Sequence, residues 1–81
     1  MSDKRLAYNS QRRFVAIDNY ISQGKYPTAT FLAEKLECSV RTIQRDIQNM
    51  ILFYNAPIEA RQGNGGYYYS DPTFFLKSVM L

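Results

Sequence analysis

Histidine is absent from this sequence, and cysteine occurs once, at Cys38. A single cysteine cannot form an intrachain disulfide, and without histidine the chain offers no ligand set for zinc. The sequence also shows no pair of carboxylates in a predicted cleft, so acid–base and nucleophilic catalysis are not expected. We therefore expect no enzyme activity, no metal and no cofactor. Cys38 is expected to pack as a small apolar residue in a turn.

Long apolar segments are also missing. No apolar run approaches the roughly 20 residues that a membrane-spanning helix needs, and the N-terminus lacks the hydrophobic region of a signal peptide. The chain has no internal repeat and no low-complexity segment. A single cysteine fits a reducing compartment. These absences predict a soluble, cytoplasmic protein with no membrane partner.

What remains is the composition of one small globular domain. Of the 81 residues, 46% are hydrophobic and 21% are charged, which is enough for a single modest core. Ten basic against seven acidic residues give a net charge of +3, which is compatible with a polyanionic partner but does not require one. Residues 1–9 contain Lys4 and Arg5 and are expected to form a basic arm, which either stays solvated or follows a phosphate backbone.

Apolar spacing predicts two helices in the first half of the chain. The first begins at Ser10 as N-cap, buries the stripe Phe14, Ile17 and Ile21, and ends at Gly24, which suits a left-handed cap. The second begins at Thr28 as N-cap. Its expected core positions are Phe31, Leu32, Ala33 and Leu36.

A third helix follows after a connection too short for anything but a tight turn. The second and third helices are therefore predicted to form a helix-turn-helix. Ser39 is its expected N-cap, and the helix is predicted to end near Tyr54, before Pro57. One face is apolar, with Val40, Ile43, Ile47 and Met50. The opposite face carries Arg41, Thr42, Gln44, Arg45 and Gln48, with a single acid among them, Asp46.

The segment after the third helix predicts a β-hairpin. Two short extended runs, 57–61 and 67–70, flank a loop with Asn-Gly and Gly-Gly pairs, and such turns need positive φ. Ile58 and Ala60 are expected on one face, and strand tyrosines are expected to pack rather than stack on bases. A helix is expected after Asp71 as cap and Pro72. The predicted fold is mostly α with a small β-hairpin, a winged helix-turn-helix with a three-helix core and a wing.

The third helix has the residue types that suit DNA readout. An α-helix fits the major groove, where Arg41 and Arg45 are able to bond guanine and Gln44 adenine, while Thr42 and the N–H groups beside Ser39 suit phosphate. Further candidates for backbone contacts are Arg61, Gln62 and Asn64 in the wing and Arg12 or Arg13 in the first helix. The competing interpretation is that any amphipathic helix has a polar outer face.

Three stretches resemble the N-terminal winged helix of bacterial regulators of the DeoR-like and WYL-domain type. They are Thr30–Leu36, the run Ser39-Val-Arg-Thr-Ile-Gln-Arg-Asp-Ile47, and Gly65-Gly66-Tyr67. That family typically has Val-Ser-x-Arg-Thr-Ile-x-Arg-Asp-Ile after the turn and Gly-Gly-Tyr at the end of the wing. The match covers about residues 12 to 70 and departs at two positions: at Cys38, where valine is usual, and at the usually variable position between Ser39 and Arg41, which is here the apolar Val40.

The resemblance implies that Arg41, Thr42 and Arg45 face DNA, that Asp46 supports the arginines and that Ser39 caps the recognition helix. Winged helices of this type commonly act as dimers on inverted repeats. The family's ligand-sensing WYL domain is not among these residues, which leaves two interpretations of the apolar segment 71–81. Either it packs on a domain missing from this sequence, or it joins two copies of a short regulator.

Together these features predict a domain at 10–70 that binds double-stranded DNA sequence-specifically and regulates transcription as a repressor, in the form of a homodimer. The alternative is a winged helix that docks on another protein and never meets DNA. Binding to DNA that weakens steeply with salt would distinguish the two.

Overall fold

The chain folds into three helices followed by a two-stranded hairpin. A computed structural model of the protein describes residues 9–63 and 65–76. The helices are α1 (Ser10–Ser22), α2 (Ala29–Leu36) and α3 (Val40–Tyr54), and strands β1 (Ile58–Ala60) and β2 (Tyr67–Tyr69) pair antiparallel. This confirms the predicted winged helix-turn-helix, a three-helix core with a hairpin wing.

Side-chain caps fix where the helices begin. Thr28 and Ser39 are confirmed as N-caps, and their hydroxyls accept from the backbone N–H of the third residue on, at 3.1 and 3.0 Å. The prediction of Ser10 as the first cap is wrong. Asn9 is the cap, because its amide oxygen reaches the N–H of Arg12 at 3.0 Å while Ser10 is already helical.

A tight turn joins α2 to α3, as predicted. Glu37 ends α2 in the left-handed conformation, with φ 57°, and the N–H of Cys38 donates to the carbonyl of Ala33 at 3.0 Å. Cys38 is a half-buried free thiol packed against the core, and burial raises the pKa of that thiol. Cys38 therefore packs as the sequence predicted.

The core lies where the three helices meet, and five of its side chains have no exposed surface: Ile17, Leu32, Ile43, Met50 and Leu76. The predictions that Phe31 and Val40 lie in the core are wrong. Phe31 is 37% exposed because its ring lies edge-on to Tyr20 at the surface, 5.3 Å between centroids. Val40 is 38% exposed because it is the first residue of α3 and faces an open groove beside the wing.

The prediction that Asp46 lies on the polar face of α3 is also wrong. Asp46 is 1% exposed and accepts from Nε and Nη2 of Arg13, at 2.5 and 3.2 Å, so that the pair ties α3 to α1. Its position explains the burial, because Asp46 is three residues after Ile43 and four before Met50, both of them buried. Asp46 thus supports Arg13 and not the arginines of α3.

The hairpin docks on the helices through its tyrosines. Ile58 pairs with Tyr69 and Ala60 with Tyr67, which confirms the predicted alternation, and Tyr67 and Tyr69 pack against the core. The hydroxyl of Tyr69 donates to Asp18 of α1 at 2.6 Å, and Asp18 is 7% exposed. The pKa of Tyr69 is raised above its ordinary value, mainly by burial and to a smaller extent by this hydrogen bond and the charge of Asp18.

Replacing Tyr69 with phenylalanine should lower the free energy of unfolding by about 1 to 3 kcal/mol at neutral pH, because buried Asp18 loses a donor. The raised pKa adds a pH dependence. Above pH about 10 the unfolded chain releases the Tyr69 proton and the folded chain keeps it, so wild-type stability falls by up to about 1.4 kcal/mol per pH unit through this group. Urea unfolding at pH 7, 10 and 11 should therefore show the gap between the two proteins narrowing. A constant gap would contradict the assignment.

The segment after the wing forms a turn instead of the predicted helix. The carboxylate of Asp71 accepts from both the N–H and the hydroxyl of Thr73, at 2.9 and 2.7 Å, which closes a turn that Pro72 also favours. Phe74 then packs on the ring of Tyr69 and Leu76 is buried, so the core extends beyond the boundary predicted at residue 70. Predictions for residues 1–8, Asn64 and residues 77–81 lie outside the described residues.

Candidate nucleic-acid interface

The outer face of α3 carries the donor-rich side chains. Arg41, Gln44 and Arg45 are exposed, as is Gln48 one turn further on. Ile43, Ile47 and Met50 are buried on the opposite side, and they fix the rotation of the helix about its axis. Long donors are therefore presented on a rigid element, with no acidic residue in the first turn.

Ser39 and Thr42 form a small hydroxyl pair at the start of α3. The oxygen of Ser39 accepts from the N–H of Thr42, and its O–H donates to the hydroxyl oxygen of Thr42, both at 3.0 Å. Ser39 is thus occupied by capping, while the hydroxyl hydrogen of Thr42 remains available at the half-exposed end of the helix. Of the two, Thr42 is better placed to donate to a phosphate.

An open groove of about 500 Å³ separates α3 from the wing. It brings together Gln44 and Arg61, two residues that the sequence suggested for different DNA contacts. The start of α2 also lines this groove, where Thr30 is exposed and the first N–H groups of a helix lack intrahelical partners. The other lining residues are Thr28, Ala29, Val40, Ala60, Gly63, Gly66 and Tyr67.

Arg61 of the wing lies over the ring of Tyr26, with 4.2 Å between the guanidinium carbon and the ring centroid. Tyr26 belongs to the loop between α1 and α2, and its ring also meets Tyr68 edge-on at 5.9 Å. The wing arginine therefore makes a cation–π contact with the loop, and Arg61 stays exposed.

Gly66 seats the wing against that loop. With φ at +85°, a β-carbon there would lie 2.0 Å from the carbonyl oxygen of Tyr26 and 2.9 Å from that of Pro27. The next N–H, of Tyr67, donates to the Pro27 carbonyl at 2.8 Å. Only glycine allows this approach.

Replacing Gly66 with alanine should therefore destabilise the protein by about 2 to 3 kcal/mol, because it adds a backbone clash to the positive-φ strain. Gly63 is a matched control. It also has a positive φ, +68°, but a β-carbon there meets nothing within 4 Å, so alanine should cost only about 1 kcal/mol. Urea unfolding of both variants measures the difference, and equal losses would contradict a tightly seated wing.

The two arginines of α1 occupy different environments. Arg12 is exposed, whereas the side chain of Arg13 is 14% exposed and bound to Asp46, whose hydrogen bond raises the pKa of the guanidinium. Arg13 thus has a structural partner within the protein. Of the two phosphate candidates, Arg12 is the one on the surface.

Sequence reasoning missed three contributors to this face. Val40 was assigned to the core, although its place as the first residue after the cap signals an exposed position. Thr30 lies in the first turn of α2, where backbone N–H groups are unpaired. Tyr26 gave no periodic signal, since its contact with Arg61 joins residues far apart in the chain.

These features define a winged helix-turn-helix whose third helix, wing and α2 N-terminus form one polar surface. A family model described as an HTH domain matches residues 12–68, most of the chain, and the protein belongs to that family. Helix-turn-helix domains of this kind are parts of DNA-binding regulators of transcription, and the partner they indicate is DNA. Searches of curated proteins and of solved structures returned no significant match.

Two further properties of the described residues bear on function. Within residues 9–63 and 65–76 no helix has the length and apolar composition needed to cross a membrane. The same part of the chain has no group of three or more His, Cys, Asp or Glu side chains placed to hold a metal ion.

Proposed function

We propose that the protein is a sequence-specific regulator of transcription that inserts α3 into the major groove of double-stranded DNA. The observation that carries this proposal is the shared groove, in which Gln44 of α3 and Arg61 of the wing face the same space as the start of α2. Phosphate contacts fix the register and orientation of a helix in the major groove. The wing and the α2 N-terminus would supply such contacts beside the groove that they share with α3.

Base readout is assigned to the exposed first half of α3. Arg41 and Arg45 suit guanine, which offers O6 and N7 to a guanidinium, and Gln44 suits adenine. Val40 adds an apolar contact of the kind that meets a thymine methyl group. Thr42, Arg61, Asn64 and Arg12 are assigned to the backbone, and Ser39 acts through the helix cap.

Arg13 is left out of the interface, because its guanidinium is bonded to Asp46. Its role is instead to support the recognition helix from behind. Asp46 follows directly after Arg45 in α3, so the ion pair with α1 helps to hold the helix in the rotation that exposes Arg45.

We also propose that the regulator is a homodimeric repressor of the DeoR-like type, which the sequence resemblance supports. Leu52 and Phe53, at the end of α3, are 72% and 66% exposed, and Phe75 is 57% exposed. Apolar side chains this exposed commonly mark an interface, whereas Leu76 already packs in its own core. Sedimentation equilibrium should give a dimer at micromolar concentration and a folded monomer for Phe53→Asp. A wild-type monomer would contradict this proposal.

Selection of bound fragments from a random duplex library, followed by sequencing, tests the proposed function. We expect an enriched site with guanine in the half-site, arranged as an inverted repeat, and an affinity that falls steeply with salt. Placed over a promoter, the selected site should lower transcription of a reporter when the protein is present. No DNA binding at low salt would overturn the proposal and favour a winged helix that docks on another protein.

A further inference from the structure

The loop between α1 and α2 contains a tyrosine in an unusual backbone conformation. Three non-glycine residues in the described part of the chain have positive φ: Tyr26, Glu37 and Asn55. Glu37 and Asn55 are C-caps, where the left-handed conformation is common. Tyr26 caps nothing and precedes Pro27, which favours an extended residue before it. Its φ of 56° therefore costs free energy that some contact must offset.

The core does not explain that conformation. Tyr26 is 41% exposed and is absent from the cluster of buried and half-buried residues around the helices. Its contacts are with the wing: Arg61 over its ring at 4.2 Å, Tyr68 at its edge, and Gly66 against its carbonyl. The conformation thus places the ring beneath Arg61 and the carbonyl against the base of the wing.

A cation–π contact suits an arginine that also has to bind a phosphate. All five N–H donors of a guanidinium lie in its plane, so a contact with its face leaves them open. The neighbouring acid on β1, Glu59, accepts from the hydroxyl of Tyr68 at 3.3 Å. Tyr26 thus restrains Arg61 without occupying the donors that a phosphate would use.

We propose that Tyr26 is a positioning residue for Arg61, and that its ring holds the guanidinium of the wing flat so that the in-plane donors face the DNA backbone. This inference rests on the proposed function. A pre-oriented arginine loses less side-chain freedom on binding than a free one, so the ring contributes to affinity without itself needing to contact DNA.

Substitution of Tyr26 separates this role from a structural one. Tyr26→Gly removes the ring and its contacts but suits the positive φ, so the two effects should nearly cancel and the thermal midpoint should stay close to that of the wild type. Its affinity for the selected duplex should nevertheless fall about two- to fivefold, the scale of an exposed cation–π contact. Tyr26→Phe keeps the ring and should bind as the wild type does. In an Arg61→Ala background, Tyr26→Gly should cause no further loss.

A readout in the free protein distinguishes failure of this inference from failure of the proposed function. The methylene protons of Arg61 next to the guanidinium should show an upfield NMR shift from the Tyr26 ring current, retained in Tyr26→Phe and lost in Tyr26→Gly. Lost shift without lost affinity, or an Arg61→Ala variant that binds as the wild type does, would overturn the positioning role alone. An intact shift pattern in a protein that binds no duplex would overturn the proposed function, and the role with it.

Discussion

Replacing Arg13 with methionine should lower the free energy of unfolding by about 3 to 5 kcal/mol, the scale seen when one partner of a buried ion pair is removed. Asp46 is 1% exposed, and the substitution leaves its carboxylate facing α1 without a cation. Methionine preserves much of the apolar length of the arginine side chain, so the loss reports mainly on charge. Urea or thermal unfolding measures it.

The neighbouring position supplies the control. Arg12→Met removes the same charge from an exposed side chain, and should change stability by no more than about 0.5 kcal/mol. The double variant Arg13→Met/Asp46→Leu replaces the pair with apolar side chains and should recover most of the loss. A cost below about 1 kcal/mol for Arg13→Met would show that Asp46 does not depend on this partner.

Replacing Arg41 and Arg45 together with alanine should weaken binding to the selected duplex by about 2 to 6 kcal/mol, or 1 to 3 kcal/mol for each arginine that reads a base. Both side chains are exposed, so stability should change little. On random duplex the loss should be smaller, because only the charge contribution is removed. Fluorescence anisotropy at two salt concentrations measures both affinities.

Two lysines provide a charge-matched control for that variant. Lys25 and Lys35 lie near Phe31, and neither lines the groove between α3 and the wing. Their double alanine variant removes two positive charges as well, but should retain the preference for the selected over the random duplex. Equal losses for the two double variants would mean that α3 contributes only charge.

Much of the fold followed from local signals in the sequence. The caps Thr28 and Ser39, the left-handed turn at Gly24 and the Gly-rich wing each depend on a residue and its near neighbours, and the structure confirms them. Asn9 was missed because two adjacent residues, Asn9 and Ser10, are both good caps. Only the geometry of the first turn decides between them.

The error at Asp46 came from an interaction between distant segments. Asp46 and Asp18 are polar residues at buried positions, and each is stable there because of a partner more than 30 residues away, Arg13 and Tyr69 respectively. Helical spacing places Asp18 and Asp46 beside the buried stripes of α1 and α3. Local sequence patterns do not indicate which acidic side chain will pair with a distant residue. Asp46 was therefore assigned to the surface.

The sequence also could not predict that α3, the wing and the start of α2 line one groove. Exposure of Arg41, Gln44 and Arg45 followed from their place opposite an apolar stripe. That Gln44 shares a groove with Arg61 depends on how the hairpin docks, which is set by the close contact of Gly66 with the α1–α2 loop. Tyr26 beneath Arg61 is a consequence of the same docking.

The central claim is that α3 reads base edges in the major groove, and a double-mutant cycle between protein and DNA tests it most directly. Each guanine of the selected half-site is replaced in turn with 7-deazaguanine, which lacks the major-groove N7 acceptor, and the dissociation constants of wild type, Arg41→Ala and Arg45→Ala are measured. The account predicts that at least one guanine costs the wild type about 1 kcal/mol or more and costs one of the arginine variants almost nothing. Equal costs in all three proteins at every guanine would contradict it.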